Sequence, residues 1–315
     1  ISAFKHILNS NTNQNIGDEL TSSERKKVMR NIKGYDISPD MVRIGLANMY
    51  LHGFPDPSVE EYDTLSSDER WNEYYNIFLA NPPFMTPTGG INPHNKFKNS
   101  SNRAEVLFLD YMLLHLKPKG KIGVVVPEGI IFQDNSSYRE IRQDLIKNGL
   151  FCVVSLPQGV FKPYSDVKTS ILFLDKTFDG EAILFSKVDN DGYTLTDRRS
   201  KIEMNDLPLV AKDIDNFKNE NYDFSNSFVV DKEGVLNNSA ISFNFKSYQV
   251  IDADSDFETV SLGELLEECK ERNKELKYEV SSVTNDKGLV KPESKFNNQV
   301  ASKDTSNYKL VKENN

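Results

Sequence analysis

The chain is poor in the residues that build metal centres and disulfide frameworks: 315 residues include two cysteines, four histidines and one tryptophan. Cys152 and Cys269 lie far apart and without metal-ligand spacing, which excludes a disulfide scaffold and fits a reducing, cytoplasmic setting. Long apolar runs are also lacking. Stretches such as 122–126 are strand length, so no membrane span is expected. No Gly-x-x-x-x-Gly-Lys phosphate loop occurs, so neither a translocating ATPase nor a nuclease is suggested. The chain has no initial Met and no signal-peptide layout. Residues 1–8 read as the middle of an amphipathic helix, as if the sequence had been cut there. A positive balance is missing as well. The net charge is -9, which argues against a nucleic-acid partner unless the charge is unevenly spread.

It is unevenly spread. Residues 81–121 hold six bases (Lys96, Lys98, Arg103, Lys117, Lys119, Lys121) and two acids (Glu105, Asp110), a local balance of +4. Residues 205–260 hold eleven acids and four bases, a balance of -7. A basic rim of this kind either faces phosphates or is ordinary solvated surface. The hydrophobic content of 38% supports a substantial core, and the length suggests two domains or one large and one small.

The first two thirds alternate strand and helix signals. Residues 32–36 read as a short strand ending in Asp36. Ser38-Pro39 then opens a helix, with Ser as the cap and Pro in its first turn, and His52-Gly53 ends it. Residues 76–80 read as the next strand, 103–116 as an apolar helix with Val106, Leu109, Leu113 and Leu116 on its stripe, and 121–126 as a strand. Residues 138–148 read as an amphipathic helix. The strands expected at 151–156, 168–174 and 181–185 lack helical connections and suggest an antiparallel edge hairpin. Helices alternating with continuously apolar strands indicate an α/β sheet covered on both faces, with ligands outside the carboxyl ends of the strands. Beyond residue 200 the sheet pattern fades. Residues 260–274 read as an amphipathic helix, and 278–284 as the β-type start of a second module.

Asn81-Pro82-Pro83-Phe84 directly follows the apolar run Ile77-Phe78-Leu79-Ala80. The amine of adenine or cytosine is a poor nucleophile, because its lone pair is delocalised into the ring. Two acceptors that take its hydrogens favour a pyramidal nitrogen. The Asn81 side-chain oxygen is one such acceptor, and the Pro82 carbonyl is a natural second. Consecutive prolines restrict the backbone, so that carbonyl is held before substrate arrives. Phe84 offers a stacking face for a base that has left its duplex. The matching electrophile is the methyl group of S-adenosylmethionine, for which positioning supplies much of the rate and no strong general base is needed. The bland alternative is a loop-breaking sequence with Phe84 as a core anchor. Asp36 either holds ribose hydroxyls, as acids at such strand ends do, or caps the following helix. Asp63 either approaches an adenine ring or belongs to a surface loop. Phe161 is either a second aromatic for the base or buried in the hairpin.

These stretches resemble the modification (M) subunit of type I restriction enzymes, an N6-adenine DNA methyltransferase. The resemblance is carried by Ala80-Asn81-Pro82-Pro83-Phe84, by Leu116-Lys117-Pro118-Lys119-Gly120 with Val124-Val125-Val126-Pro127, and by Leu156-Pro157-Gln158-Gly159-Val160-Phe161. Thr169-Ser170-Ile171-Leu172-Phe173-Leu174 and Asp191-Gly192-Tyr193-Thr194-Leu195 with Arg198 extend it over most of residues 1–210. It implies a Rossmann-like S-adenosylmethionine-dependent methyltransferase sheet, with residues 81–84 catalytic, Asp36 and Asp63 at the cofactor, and Phe84 and Phe161 at the base. Segments 260–265, 281–290 and 306–309 resemble the opening of a target-recognition domain of the specificity (S) subunit. The expected organisation is a methyltransferase domain over 1–178, its extension over 179–255, and a partial recognition module over 256–315. The implied partners are double-stranded DNA and the specificity and restriction subunits, with no membrane. The family's first motif, a Gly-rich turn that wraps the methionine part of the cofactor, does not precede Ile1. Weak or absent cofactor binding by this chain is the expected consequence. The competing expectations are methylation of cytosine N4, RNA or a protein glutamine, and a non-catalytic DNA- or partner-binding piece.

Overall fold

The computed structural model describes residues 1–84, 92–248, 260, 271–274, 278, 280–284, 288–291 and 304–311. Its contacts divide the chain into two units, Ile1–Val250 and Ile251–Asn315. Among the described residues no helix is long and apolar enough to cross a membrane.

In the first unit, α1 (Ser2–Asn9) and α2 (Ser22–Asn31) precede β1 (Lys33–Asp36), α3 (Pro39–Leu51) and β2 (Ser58–Glu61). Thr21 and Glu24 form a reciprocal capping box that starts α2. Ser38 caps α3 with Pro39 in its first turn, and Gly53 (φ 82°) follows its end, as the sequence suggests. β1 and β2 pair in parallel as a sheet of their own. Their small core joins Phe4, Met49 and Phe54 to Val28, Ile32 and Val59.

β3 (Tyr75–Ala80), α4 (Ala104–Leu114) and β4 (Leu116–Pro127) begin the main sheet. α5 (Glu128–Phe132), α6 (Ser136–Lys147), β5 (Leu150–Ser155), β6 (Thr169–Asp175) and β7 (Ala182–Lys187) continue it. After the pair β8 (Asp191–Tyr193) and β9 (Lys201–Asn205) come α7 (Leu207–Lys218), β10 (Ser227–Asp231) and α8 (Lys232–Asn237). The six-stranded order is β10-β7-β5-β6-β4-β3. β3, β4, β5 and β7 run one way, and β6 and β10 the other. β5 and β6 pair antiparallel, as expected, but they lie inside the sheet rather than at its edge. Both are buried nearly throughout, and strands covered on both faces belong in the interior. Gly149 (φ 90°) connects α6 to β5, and a Cβ there would collide with the Asp175 carbonyl.

The larger core, with Val106, Leu109, Ile122, Val124, Ile141, Leu145 and Leu172, sits between the sheet and helices α4 to α6. A second cluster, with Cys152, Val154, Leu184, Val210 and Phe217, covers the opposite face under α7. α4 is buried almost all round rather than along one stripe, and Leu116 belongs to β4.

In the second unit, β11 (Ser282–Thr284) and β12 (Gly288–Val290) form an antiparallel pair. Arg272 bridges Lys309 in the same unit. The helix expected over 260–274 lies largely outside the described residues.

Candidate active site

β3 carries Asn81-Pro82-Pro83-Phe84 out of the sheet at its carboxyl end. The last registered pair is Ala80 with Val124 on β4, so the four residues continue beside the end of β4. Asn81 and Pro83 are exposed, Pro82 is buried and Phe84 half-buried. β3 is the edge strand and is half-buried to exposed, not buried as its apolar run suggests, so the exposed amide follows an edge strand and is held by the buried proline after it.

Three further segments reach this end of the sheet. β4 ends at Pro127, opposite Thr169, the first residue of the antiparallel β6. Glu128 there accepts an ion pair from Lys168 at 3.3 Å, and its N–H donates to the Lys168 carbonyl. Residues 156–168 connect β5 to β6 over the same edge and include half-buried Phe161. The Phe161 carbonyl accepts the N–H groups of Tyr164 and Ser165. Gly159 (φ 88°) shapes that turn, and its carbonyl accepts from Arg199 Nη1 at 3.2 Å, which ties the loop to the β8–β9 pair. Asn81 and Phe84, on the connection after β3, and Phe161, on the connection between β5 and β6, are therefore carried to one end of the sheet.

Asp36 and Asp63 are placed differently. Asp36 Oδ1 accepts the Ser38 N–H at 2.8 Å, just ahead of α3. Asp63 accepts the N–H groups of Leu65 and Ser66 and the Ser66 hydroxyl. The neighbour of Asp36, Tyr35, donates its hydroxyl to Glu73 at 2.6 Å and lies 2.9 Å from the Tyr75 hydroxyl. Lys33 reaches Glu73 at 3.4 Å. These contacts anchor β1 at the amino end of β3, whereas Asn81 follows the carboxyl end. No hydrogen bond or ion pair among the described residues links Asp36 or Asp63 to residues 81–84.

Sequence reading missed two participants. One is the Glu128–Lys168 pair, for which an acid immediately after a buried strand was the available signal. The other is Arg142 on α6, which is fully buried. It donates to the carbonyls of Ile130 (2.9 Å), Gln133 (2.7 Å) and Ala240 (2.7 Å), holding α5 at the end of β4. Burial pushes its guanidinium down to about 10. A cation on the otherwise apolar stripe of Tyr138, Ile141 and Leu145 was its signal.

The basic run of 81–121 is divided by α4. Lys117, Lys119 and Lys121 lie at the amino end of β4, away from Asn81. Lys96 pairs with Asp68 and Lys98 with Asp144, while Arg103, at the start of α4, makes no ion pair among the described residues.

An α/β sheet with an Asn-Pro-Pro-Phe turn leaving one strand's carboxyl end defines the class as methyltransferase-like. The profile of the family described as N-6 DNA Methylase matches residues 10–256, and the chain belongs to that family. It is 30% identical over 159 residues to the type I restriction enzyme EcoEI methylase subunit of Escherichia coli, covering 50% of this chain and 32% of that protein. It is 29% identical over 156 residues to the EcoKI methylase subunit of Escherichia coli K12, covering 48% and 29%. The alignments thus span about a third of the length of these curated relatives. A structure from work on assembly and conformational transition of the type I R-M system superposes with a TM-score of 0.62 at 26% identity, covering 79% of this chain and 53% of that one. The EcoKI M protein shares the fold with a TM-score of 0.61 at 20% identity, covering 76% and 58%.

Proposed function

We propose that the chain is part of a site-specific DNA N6-adenine methyltransferase of a type I-like restriction-modification system. In this reading the methyl donor is S-adenosylmethionine, the substrate is an adenine turned out of double-stranded DNA, and the partners are specificity and restriction subunits. The observation that carries it is the exposed Asn81 amide on a proline-locked turn at the carboxyl end of β3, in a chain of this family. Asn81 Oδ1 and the Pro82 carbonyl accept the two hydrogens of the base amine and free its lone pair, while Phe84 and Phe161 supply stacking faces. Residues 256–315 act as a partial recognition module and residues 179–255 as an extension of the methyltransferase part.

The residues present fit the cofactor incompletely. Asp36 and Asp63 each spend carboxylate oxygens on nearby backbone N–H groups, and β1 is anchored away from Asn81. This favours a second reading, in which the chain by itself binds DNA or a partner without turnover. Calorimetric titration with S-adenosylmethionine separates the two: micromolar binding supports turnover by this chain, and undetectable binding supports the second reading. The main reading is tested by mapping methylated adenines in DNA exposed to the complete protein and to its Asn81→Ala form. Loss of at least about a hundredfold in rate is expected, because one of two orienting contacts is removed. Equal modification by both proteins would remove Asn81 from the reaction, and label found in RNA or protein with none in DNA would change the substrate class.

A further inference from the structure

The connection between β5 and β6 and the turn between β8 and β9 are joined at the carboxyl end of the sheet. Arg199 Nη1 donates to the Gly159 carbonyl at 3.2 Å, and Lys162 pairs with Asp197 at 3.5 Å. Each turn is also held by hydrogen bonds of its own. The Phe161 carbonyl accepts the Tyr164 N–H at 3.0 Å and the Ser165 N–H at 3.2 Å. The Arg198 carbonyl accepts the Thr194 and Thr196 hydroxyls, each at 3.0 Å.

Two side chains on this fixed backbone stand free. Tyr164 is 94% exposed, more than any other large apolar side chain among the described residues, and its ring and hydroxyl have no partner there. Tyr193 on β8 differs, because the Arg199 guanidinium lies 5.5 Å from its ring centre. Arg198 is exposed and makes no ion pair among the described residues. Its neighbours Lys162, Lys168 and Arg199 are each held by a carboxylate. A ring left in water gains by stacking on an apolar face, and a preformed turn loses little freedom when it does so.

We propose that these joined turns meet the duplex from which the base is extruded, with Tyr164 entering the space the base leaves and Arg198 on a backbone phosphate. The proposal rests on the methyltransferase reading of Asn81. Extrusion breaks the stack on both sides of the base, and a ring inserted there restores a stacking contact and holds the base out. In that reading Phe84 and Phe161 serve the extruded base itself. Tyr164, three residues after half-buried Phe161 on the same closed turn, is the ring left for the gap. An exposed ring alone would suit a protein partner equally, but the free guanidinium on the joined turn favours a phosphate backbone.

The probes are a fluorescent DNA duplex and the same duplex with one abasic site, each titrated with the whole chain in the absence of a methyl donor. The abasic duplex is expected to bind about tenfold tighter, because its gap is already open to a ring. Tyr164→Ala is expected to remove that preference and Tyr164→Phe to keep it. Arg198→Ala is expected to weaken both duplexes alike and to lower the salt slope by about one. Thermal melting confirms that each variant is folded. Equal binding of the two duplexes by the parent chain, no duplex binding at all, or a preference that survives Tyr164→Ala overturns the proposal. An unchanged salt slope in Arg198→Ala overturns the phosphate contact. Neither a methyl donor nor a recognition sequence enters this titration, so its failure leaves the methylation assay of Asn81→Ala untouched, and the reverse also holds.

Discussion

Glu73 shows how one side chain sets the position of a whole segment. Burial raises its pKa, but the Tyr35 and Tyr75 hydroxyls, Lys33 and Arg70 outweigh that and hold the carboxyl at about 2, below its ordinary 4.5. A depressed folded value means that the charged form stabilises the fold. That contribution is complete above pH 4.5 and is lost as pH falls towards 2. Glu73→Gln is therefore expected to melt below the parent protein at neutral pH, and the gap should close between about pH 4.5 and pH 2. Thermal melts across that range test it, and a gap independent of pH would count against the network. Residues whose roles are local were legible in the sequence: the Ser38 cap, the Pro39 start and the Asn81-Pro82-Pro83 turn each follow from one or two neighbours. Asp36 carried two meanings there, and its Oδ1 contact with the Ser38 N–H at 2.8 Å is compatible with either.

At the scale of elements, Arg142 joins α6 to α5 and to residue 240 through three carbonyls. Arg142→Met keeps the apolar stem and leaves those acceptors unpaired in the core. The expected cost is about 3 kcal/mol, or about 10 °C in Tm, measurable by calorimetry. A variant as stable as the parent would mean that water reaches these carbonyls. Strand and helix identities were largely legible, because each apolar run is as long as its element. The length of β4 was not. Lys117, Pro118 and Lys119 read as a turn, yet they belong to a 12-residue strand. Leu116 pairs with Tyr75 and Lys121 with Ile77, and pairing with β6 begins at Lys121, so residues 117–120 form an irregularity in the ladder between those pairs. The complete burial of α4 was also hidden, since an apolar stripe does not reveal what packs on the other faces.

At the scale of the molecule, the sheet is in two parts. β1 and β2 stand apart from the six strands, and β3 is the last strand of the larger sheet. Ile77 and Leu79 on β3 are 62% and 67% exposed. An apolar strand at a sheet edge invites pairing with other chains. The chain is expected to associate as its concentration rises, and Leu79→Lys should suppress this in light scattering or sedimentation. Equal association of both forms would place the contact elsewhere.

Taken by itself, the sequence determined what neighbours along the chain can decide. That includes the strand before Asn81, the locked turn after it, the helix entries and the absence of a long apolar span. Each depends on backbone geometry or on a periodic pattern within about ten residues. Tertiary structure alone decided what depends on separation across the sheet. It carried the Phe161 loop and the Glu128–Lys168 pair to the carboxyl end of the sheet, and tied β1 through Tyr35 and Lys33 to Glu73 ahead of β3. Those outcomes follow from strand order and burial, in which residues far apart in the chain compete for the same partners.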